Sequence, residues 1–130
     1  MLNVFNLLPT NNTPGFFLNP DGMFKISGRG LYQNKTEDIE QVMNWIDEYL
    51  SNPAETTCVI IALEYLNSFS TTIIASLLRK LSTALPQSGK LVIHWYYEED
   101  DEDIIEQGEC ISATLNIPID LICTDHFVDY

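Results

Sequence analysis

Four hydroxyls and one carboxamide fall within six residues, Asn67-Ser68-Phe69-Ser70-Thr71-Thr72. Such hydroxyls can accept a phosphoryl group, and their place in the fold decides whether that matters. Before them runs Cys58-Val59-Ile60-Ile61-Ala62-Leu63, continuing through Glu64-Tyr65-Leu66, and after them Ile73-Ile74-Ala75-Ser76-Leu77-Leu78-Arg79-Lys80-Leu81. The first run reads as a strand and the second has the apolar spacing of a helix packed on one face. The hydroxyls therefore sit at a strand-to-helix corner, where free N–H groups and the helix dipole stabilise negative charge. A phosphate there would add about two charges and change the surface without unfolding the helix. Plain N-capping by Ser68 or Ser70, worth about 1 kcal/mol, accounts for one hydroxyl and leaves the rest unexplained.

Other chemistries have less to work with. The two histidines, His94 and His126, lie in a strand-like run and in the tail. No G-x-S-x-G elbow and no Cys–His spacing is present, so a hydrolase is not expected. Gly28-Arg29-Gly30 lacks the remainder of a P-loop and reads as a connection into the next helix. Glu98-Glu99-Asp100-Asp101-Glu102-Asp103 could offer oxygens to a hard cation. Consecutive side chains diverge, however, and the EF-hand spacing is missing. A solvated helix start, or a docking surface for a basic partner, suits this acidic run better.

The elements that must position these groups alternate. Residues 2–8 suggest an edge strand. Asp21-Gly22 between Phe16-Phe17-Leu18 and Met23-Phe24-Lys25-Ile26 is a hairpin signal. Residues 28–35 read as a loop and Thr36 as the cap of a helix with Ile39, Val42, Met43, Ile46 and Leu50 on one stripe, Trp45 and Tyr49 beside it. The unbroken β-branched run from Cys58 predicts a central strand buried on both faces. Pro86-Gln87-Ser88-Gly89 reads as a turn and residues 90–97 as a strand. Ile104, Gly108, Ile111 and Leu115 mark another helix, and residues 117–123 a last strand whose proline suits its start or an edge. The expected fold is α/β, a mixed and partly parallel sheet with about three helices on one or both faces.

One domain spanning residues 1–130 suits this length. Nineteen acidic residues against six basic ones leave a net charge of −13. That excludes a phosphate backbone as a natural partner and disfavours anionic lipid. Cys58, Cys110 and Cys123 are odd in number without C-x-x-C spacing, which predicts reduced thiols and a cytoplasmic setting. Neither a signal peptide nor a spanning segment is evident.

Two stretches carry a family resemblance: Leu63-Glu64-Tyr65-Leu66-Asn67-Ser68-Phe69-Ser70 with its leucine-rich helix, and Val92-Ile93-His94-Trp95-Tyr96-Tyr97 followed by the acids, Gly108 and Glu109. Together with Ile26-Ser27-Gly28-Arg29 they resemble the SiaC family of bacterial regulatory phosphoproteins. The resemblance implies a fold like that of anti-sigma-factor antagonists (STAS-like) and a non-enzymatic protein without a cofactor or metal. It implies a phosphoacceptor at Ser68, modified by a histidine-kinase-like Ser/Thr kinase and restored by a PP2C-type phosphatase. The unmodified form would bind and activate a diguanylate cyclase, raising cyclic di-GMP and promoting biofilm growth. Tyr65, Asn67, Phe69, Ser70 and Thr71 around Ser68, with Asp100 and Asp101, are the expected partner-binding residues. Two departures stand out. Gly30-Leu31-Tyr32-Gln33 replaces the family's Ser-Tyr-Pro-Glu, and Phe69 stands where a small hydroxyl residue is commoner. The alternative is a constitutive protein-binding or metal-binding module built on residues 98–103.

Overall fold

The computed structural model describes residues 2–85 and 89–125. The order is β1(Phe5–Leu7), β2(Gly15–Leu18), β3(Met23–Gly30), α1(Glu37–Leu50), β4(Thr56–Leu66), α2(Ser68–Ala84), β5(Lys90–Glu98), α3(Glu102–Leu115) and β6(Asp120–Thr124). Among the described residues six strands form one mixed sheet in the order β1-β2-β3-β4-β5-β6. β1 and β2 pair antiparallel with their neighbours, while β3 to β6 run parallel. The Asp21-Gly22 hairpin forms as expected, with Phe16 opposite Ile26.

The parallel strands are added in one direction without a reversal. Crossovers of a single hand, repeated in one direction, put every helix on the same face. Thr57, Val59, Ile61 and Leu63 of β4 accordingly bury themselves under the helices, whereas Cys58 and Ile60 on the other face are only half-buried. This corrects the expectation that β4 is covered on both sides. It also removes the reversal of strand order at which doubly wound sheets form their crevice.

The core runs under all three helices. Trp45 and Tyr49 belong to it rather than lying beside it, with Phe24 packed edge-on against both rings at 5.5 and 4.8 Å. The Tyr49 hydroxyl shares a hydrogen bond with buried Thr57 at 2.7 Å. Trp95 of β5 donates Nε1–H to the Ile104 carbonyl of α3 at 2.9 Å. Ile104, Gly108 and Ile111 form the buried stripe of α3, as their spacing predicts.

Three further expectations shift. β3 continues through Gly30, so the expected loop begins only at Leu31. Thr36 occupies the N-cap position of α1 but makes no side-chain capping bond. β6 starts at Asp120, three residues after the expected Ile117. Of the expected turn at 86–89, residues 86–88 lie outside the described residues, as does His126. Among the described residues no helix is long and apolar enough to cross a membrane.

Candidate functional site

The corner is shaped by an irregularity in the β3–β4 pairing. Gly28 faces Leu63, but Arg29 faces Tyr65, so Glu64 is an extra residue on β4. Strict alternation after Leu63 would send Tyr65 into the core. The extra residue inverts the phase: Leu66 is buried and Tyr65 is 55% exposed. Arg29 holds this arrangement from outside, its Nε 3.2 Å from the Glu64 carboxylate and its guanidinium 5.3 Å from the Tyr65 ring centroid.

Asn67 then turns the chain into α2. It is the N-cap residue, its Oδ1 accepting from the Ser70 amide at 2.9 Å. Its Nδ2 donates to the Tyr32 carbonyl at 2.8 Å, and its own amide donates to the Gly30 carbonyl at 2.9 Å. Gly30 permits this approach because a Cβ there would lie 2.8 Å from Leu66 Cδ1 and 3.2 Å from the Tyr65 carbonyl oxygen. On the other side, Gln107 of α3 donates to the Leu66 carbonyl at 2.9 Å. The end of β4 is thus tied to both neighbouring elements.

The four hydroxyls take different places. Ser68 is the first residue of α2 and is exposed, with Phe69 beside it at 37% exposure. Ser70 is 2% exposed, and its Oγ accepts from the Tyr32 amide at 2.9 Å. Its expected place among the surface residues is therefore corrected: a partner cannot touch it without opening the corner. Thr71 is half-buried and donates to the Asn67 carbonyl at 2.9 Å, and Thr72 donates to the Ser68 carbonyl at 3.1 Å. Both hydroxyls back-bond within the first turn.

The acidic run is distributed along the chain rather than gathered at a point. Glu98 ends β5, and Asp100 adopts a left-handed conformation at φ 69°. Asp101 caps α3 by accepting from the Ile104 amide at 3.3 Å, and Glu102 and Asp103 occupy the first turn. A cleft of about 420 Å³ joins this helix start to the corner, lined by Glu64, Tyr65, Asn67, Asp101, Asp103 and Glu106 among others. Asp101 thus faces the corner residues, whereas Asp100 is not part of the cleft lining. Among the described residues no three His, Cys, Asp or Glu side chains come together as a metal site.

A second cleft lies on the far side of Asn67, lined by Asn12, Thr13, Leu31, Tyr32, Gln33 and Thr36. Leu31 and Asn67 border both clefts and form the ridge between them. The Tyr32 side chain is buried beside Ile39, Ile73 and Met43. Burial pushes its phenol up to about 12, the Asp38 charge adds to the rise, and the Thr36 hydroxyl works against it. Below the ordinary value of 10.0, folded and unfolded chains both keep this proton and stability is unaffected. Between about 10 and 12 the unfolded chain loses it first, so stability drains away as pH rises through that window. Melting temperature should therefore fall less steeply between pH 10 and 12 in Tyr32→Phe than in the parent. Parallel falls would remove Tyr32 as the cause.

A family model described as SiaC family regulatory phosphoprotein matches residues 7–124. A chain in the crystal structure of the diguanylate cyclase SiaD in complex with its activator SiaC, from Pseudomonas aeruginosa, superposes with a TM-score of 0.82 at 21% identity. The match covers 92% of the present chain and 99% of that one. SiaC of Pseudomonas aeruginosa gives a TM-score of 0.82 at 20% identity, covering 94% and 99%. The apo-SiaC crystal structure from the same organism gives 0.80 at 21%, covering 92% and 98%. Identities this low establish a shared fold. Comparison with curated proteins finds no match.

Proposed function

Because the chain belongs to the SiaC family of regulatory phosphoproteins, we propose that Ser68 is its phosphoacceptor and that the unmodified corner binds and activates a diguanylate cyclase. The observation that carries this reading is the position of Ser68. It is exposed at the first position of α2, while Ser70 is buried and Thr71 is half-buried and back-bonded within the helix. A histidine-kinase-like Ser/Thr kinase would transfer the γ-phosphoryl group of ATP to the Ser68 Oγ, releasing ADP and the hydroxyl proton. A PP2C-type phosphatase would hydrolyse the ester to serine and inorganic phosphate. The helix start tolerates the added charge, because its amides and dipole favour an anion.

Tyr65 and Phe69 supply the apolar contacts around Ser68 that a partner would cover. Asp101, with Glu64, Asp103 and Glu106 in the adjoining cleft, suits a basic segment of the same partner. SiaD, which crystallises with SiaC as its activator, is the precedent for a cyclase in that role. In this reading the chain is a regulator and catalyses nothing itself.

Incubation with ATP and the kinase should raise the intact mass by one phosphate, and the phosphatase should reverse the gain. Ser68→Ala should abolish it, whereas Thr72→Ala, exposed one turn further along, should leave it complete. A full mass gain in Ser68→Ala would remove the assignment.

A further inference from the structure

The backbone N–H and C=O of Tyr32 are both held by the start of α2, from its N-cap and its first turn. Its N–H donates to Ser70 Oγ at 2.9 Å, and its C=O accepts from Asn67 Nδ2 at 2.8 Å. The same carboxamide of Asn67 caps the helix through Oδ1. One side chain therefore joins two structures that are 35 residues apart in sequence: the amide end of α2 and the loop that follows β3. The adjacent Leu31 amide donates to the Asn12 carbonyl at 2.9 Å, and Leu31 itself stands on the ridge between the two clefts.

We infer that Asn67 relays the state of Ser68 to loop 31–35, so that phosphorylation alters a second surface besides the serine itself. This rests on Ser68 as the phosphoacceptor. Ser68 lies two residues before Ser70, and helical Cβ bonds tilt toward the N-terminus. A phosphate on its Oγ is thereby held over the first-turn amides of Ser68, Phe69 and Ser70. The Ser70 amide is already taken by the neutral Asn67 oxygen. A doubly charged phosphate is the stronger acceptor, since charge-assisted hydrogen bonds are about twice as strong as neutral ones. Once Asn67 Oδ1 is displaced, its carboxamide loses the bond that fixes its rotation, and the donation to Tyr32 goes with it. The Tyr32 ring remains anchored among Ile39, Ile73 and Met43, so the change is confined to the loop backbone and the Leu31 ridge. A partner spanning both clefts would meet a different contour as well as a different charge.

Asn67→Asp isolates the relay. Aspartate keeps an oxygen to cap Ser70 but has no N–H for the Tyr32 carbonyl, so it severs the loop tie while leaving the cap. Phosphoserine can be placed at position 68 by genetic-code expansion, which brings no kinase into the measurement. Amide exchange followed residue by residue by NMR then reads the Leu31 and Tyr32 amides against those of Leu77 and Leu78. Phosphoserine at 68 should speed Leu31 and Tyr32 exchange roughly 3- to 10-fold, the equivalent of one lost hydrogen bond. Unphosphorylated Asn67→Asp should reproduce that rise, and phosphoserine in the Asn67→Asp background should add nothing. Leu77 and Leu78 should stay protected throughout. If the phosphate settles on the Ser68 and Phe69 amides alone, loop exchange stays at its unmodified rate and the relay is overturned. Independent, additive effects of the two changes would overturn it equally. Failure of the kinase to label Ser68 would instead count against the phosphoacceptor assignment and leave this coupling measurable.

Discussion

Phosphoserine at position 68 is expected to weaken binding to the proposed cyclase partner by about 100-fold, or roughly 3 kcal/mol at 1.4 kcal/mol per decade. The reason lies in the residues around it. Tyr65 and Phe69, 55% and 37% exposed, present apolar surface that a partner must cover to gain hydrophobic stabilisation. Covering them strips water from Ser68 as well. A hydroxyl loses little by this, but a dianion loses hydration that only a dedicated cationic pocket could replace. The acidic cleft beside the corner does not add to this loss. Glu64, Asp101, Asp103 and Glu106 repel the phosphate in the free and the bound chain alike, and a basic partner segment there would be drawn to it. Ser68→Asp carries about half the charge on a shorter arm and should lose roughly tenfold.

Salt separates the two contributions. Attraction between the phosphate and a basic partner segment is screened at high ionic strength, whereas the desolvation penalty persists. Calorimetric titration at low and high salt should show most of the loss surviving. Folding stability of Ser68→Asp should stay within about 0.5 kcal/mol of the parent, since an acid in the first turn is favourable. Equal cyclase affinity for serine and phosphoserine would end the switch reading. A loss that vanished with salt would move its cause from the aromatic rim to acidic groups on the partner, and would count against a basic segment in the cleft.

The corner itself was legible because two signals agree there: a β-branched run stops and an apolar helical stripe begins within a few polar residues. What the hydroxyls do was not legible. Ser68 and Ser70 are chemically alike and two positions apart, yet one is exposed and the other is buried against the Tyr32 amide. That difference depends on a loop 38 residues away, which no local pattern encodes. The exposure of Tyr65 was hidden for a similar reason. It follows from Glu64 being an extra residue against β3, and a bulge leaves no trace in the hydropathy of β4. The second face of the sheet carries no helix, which the run Cys58-Val59-Ile60-Ile61 does not reveal. Coverage on both sides needs helices on both sides, and the unreversed strand order denies that.

Gly22→Ala is expected to cost about 3 kcal/mol, lowering the melting temperature by roughly 10 °C. Asp-Gly announces a turn, and the glycine's φ of 104° is the left-handed conformation that an alanine adopts at a cost of about 1 kcal/mol. The larger contribution comes from elsewhere. A Cβ on Gly22 would fall onto the Thr56 carbonyl oxygen at the start of β4, a backbone atom that cannot swing aside. The Gly22 carbonyl accepts the Cys58 amide at 2.8 Å, which opens the parallel ladder pairing Met23 with Cys58. Pushing this point apart loosens the register that carries Gly30 to Leu66 and Asn67 at the other end. Gly28 is the control. Its φ of 102° carries the same strain, but its added Cβ would meet the Pro9 side chain at 3.0 Å and nothing else closer than 3.8 Å. Gly28→Ala should therefore lose about half as much in chemical denaturation. Equal losses in the two variants would mean that conformational strain alone sets the cost, and that the collision with Thr56 relaxes away.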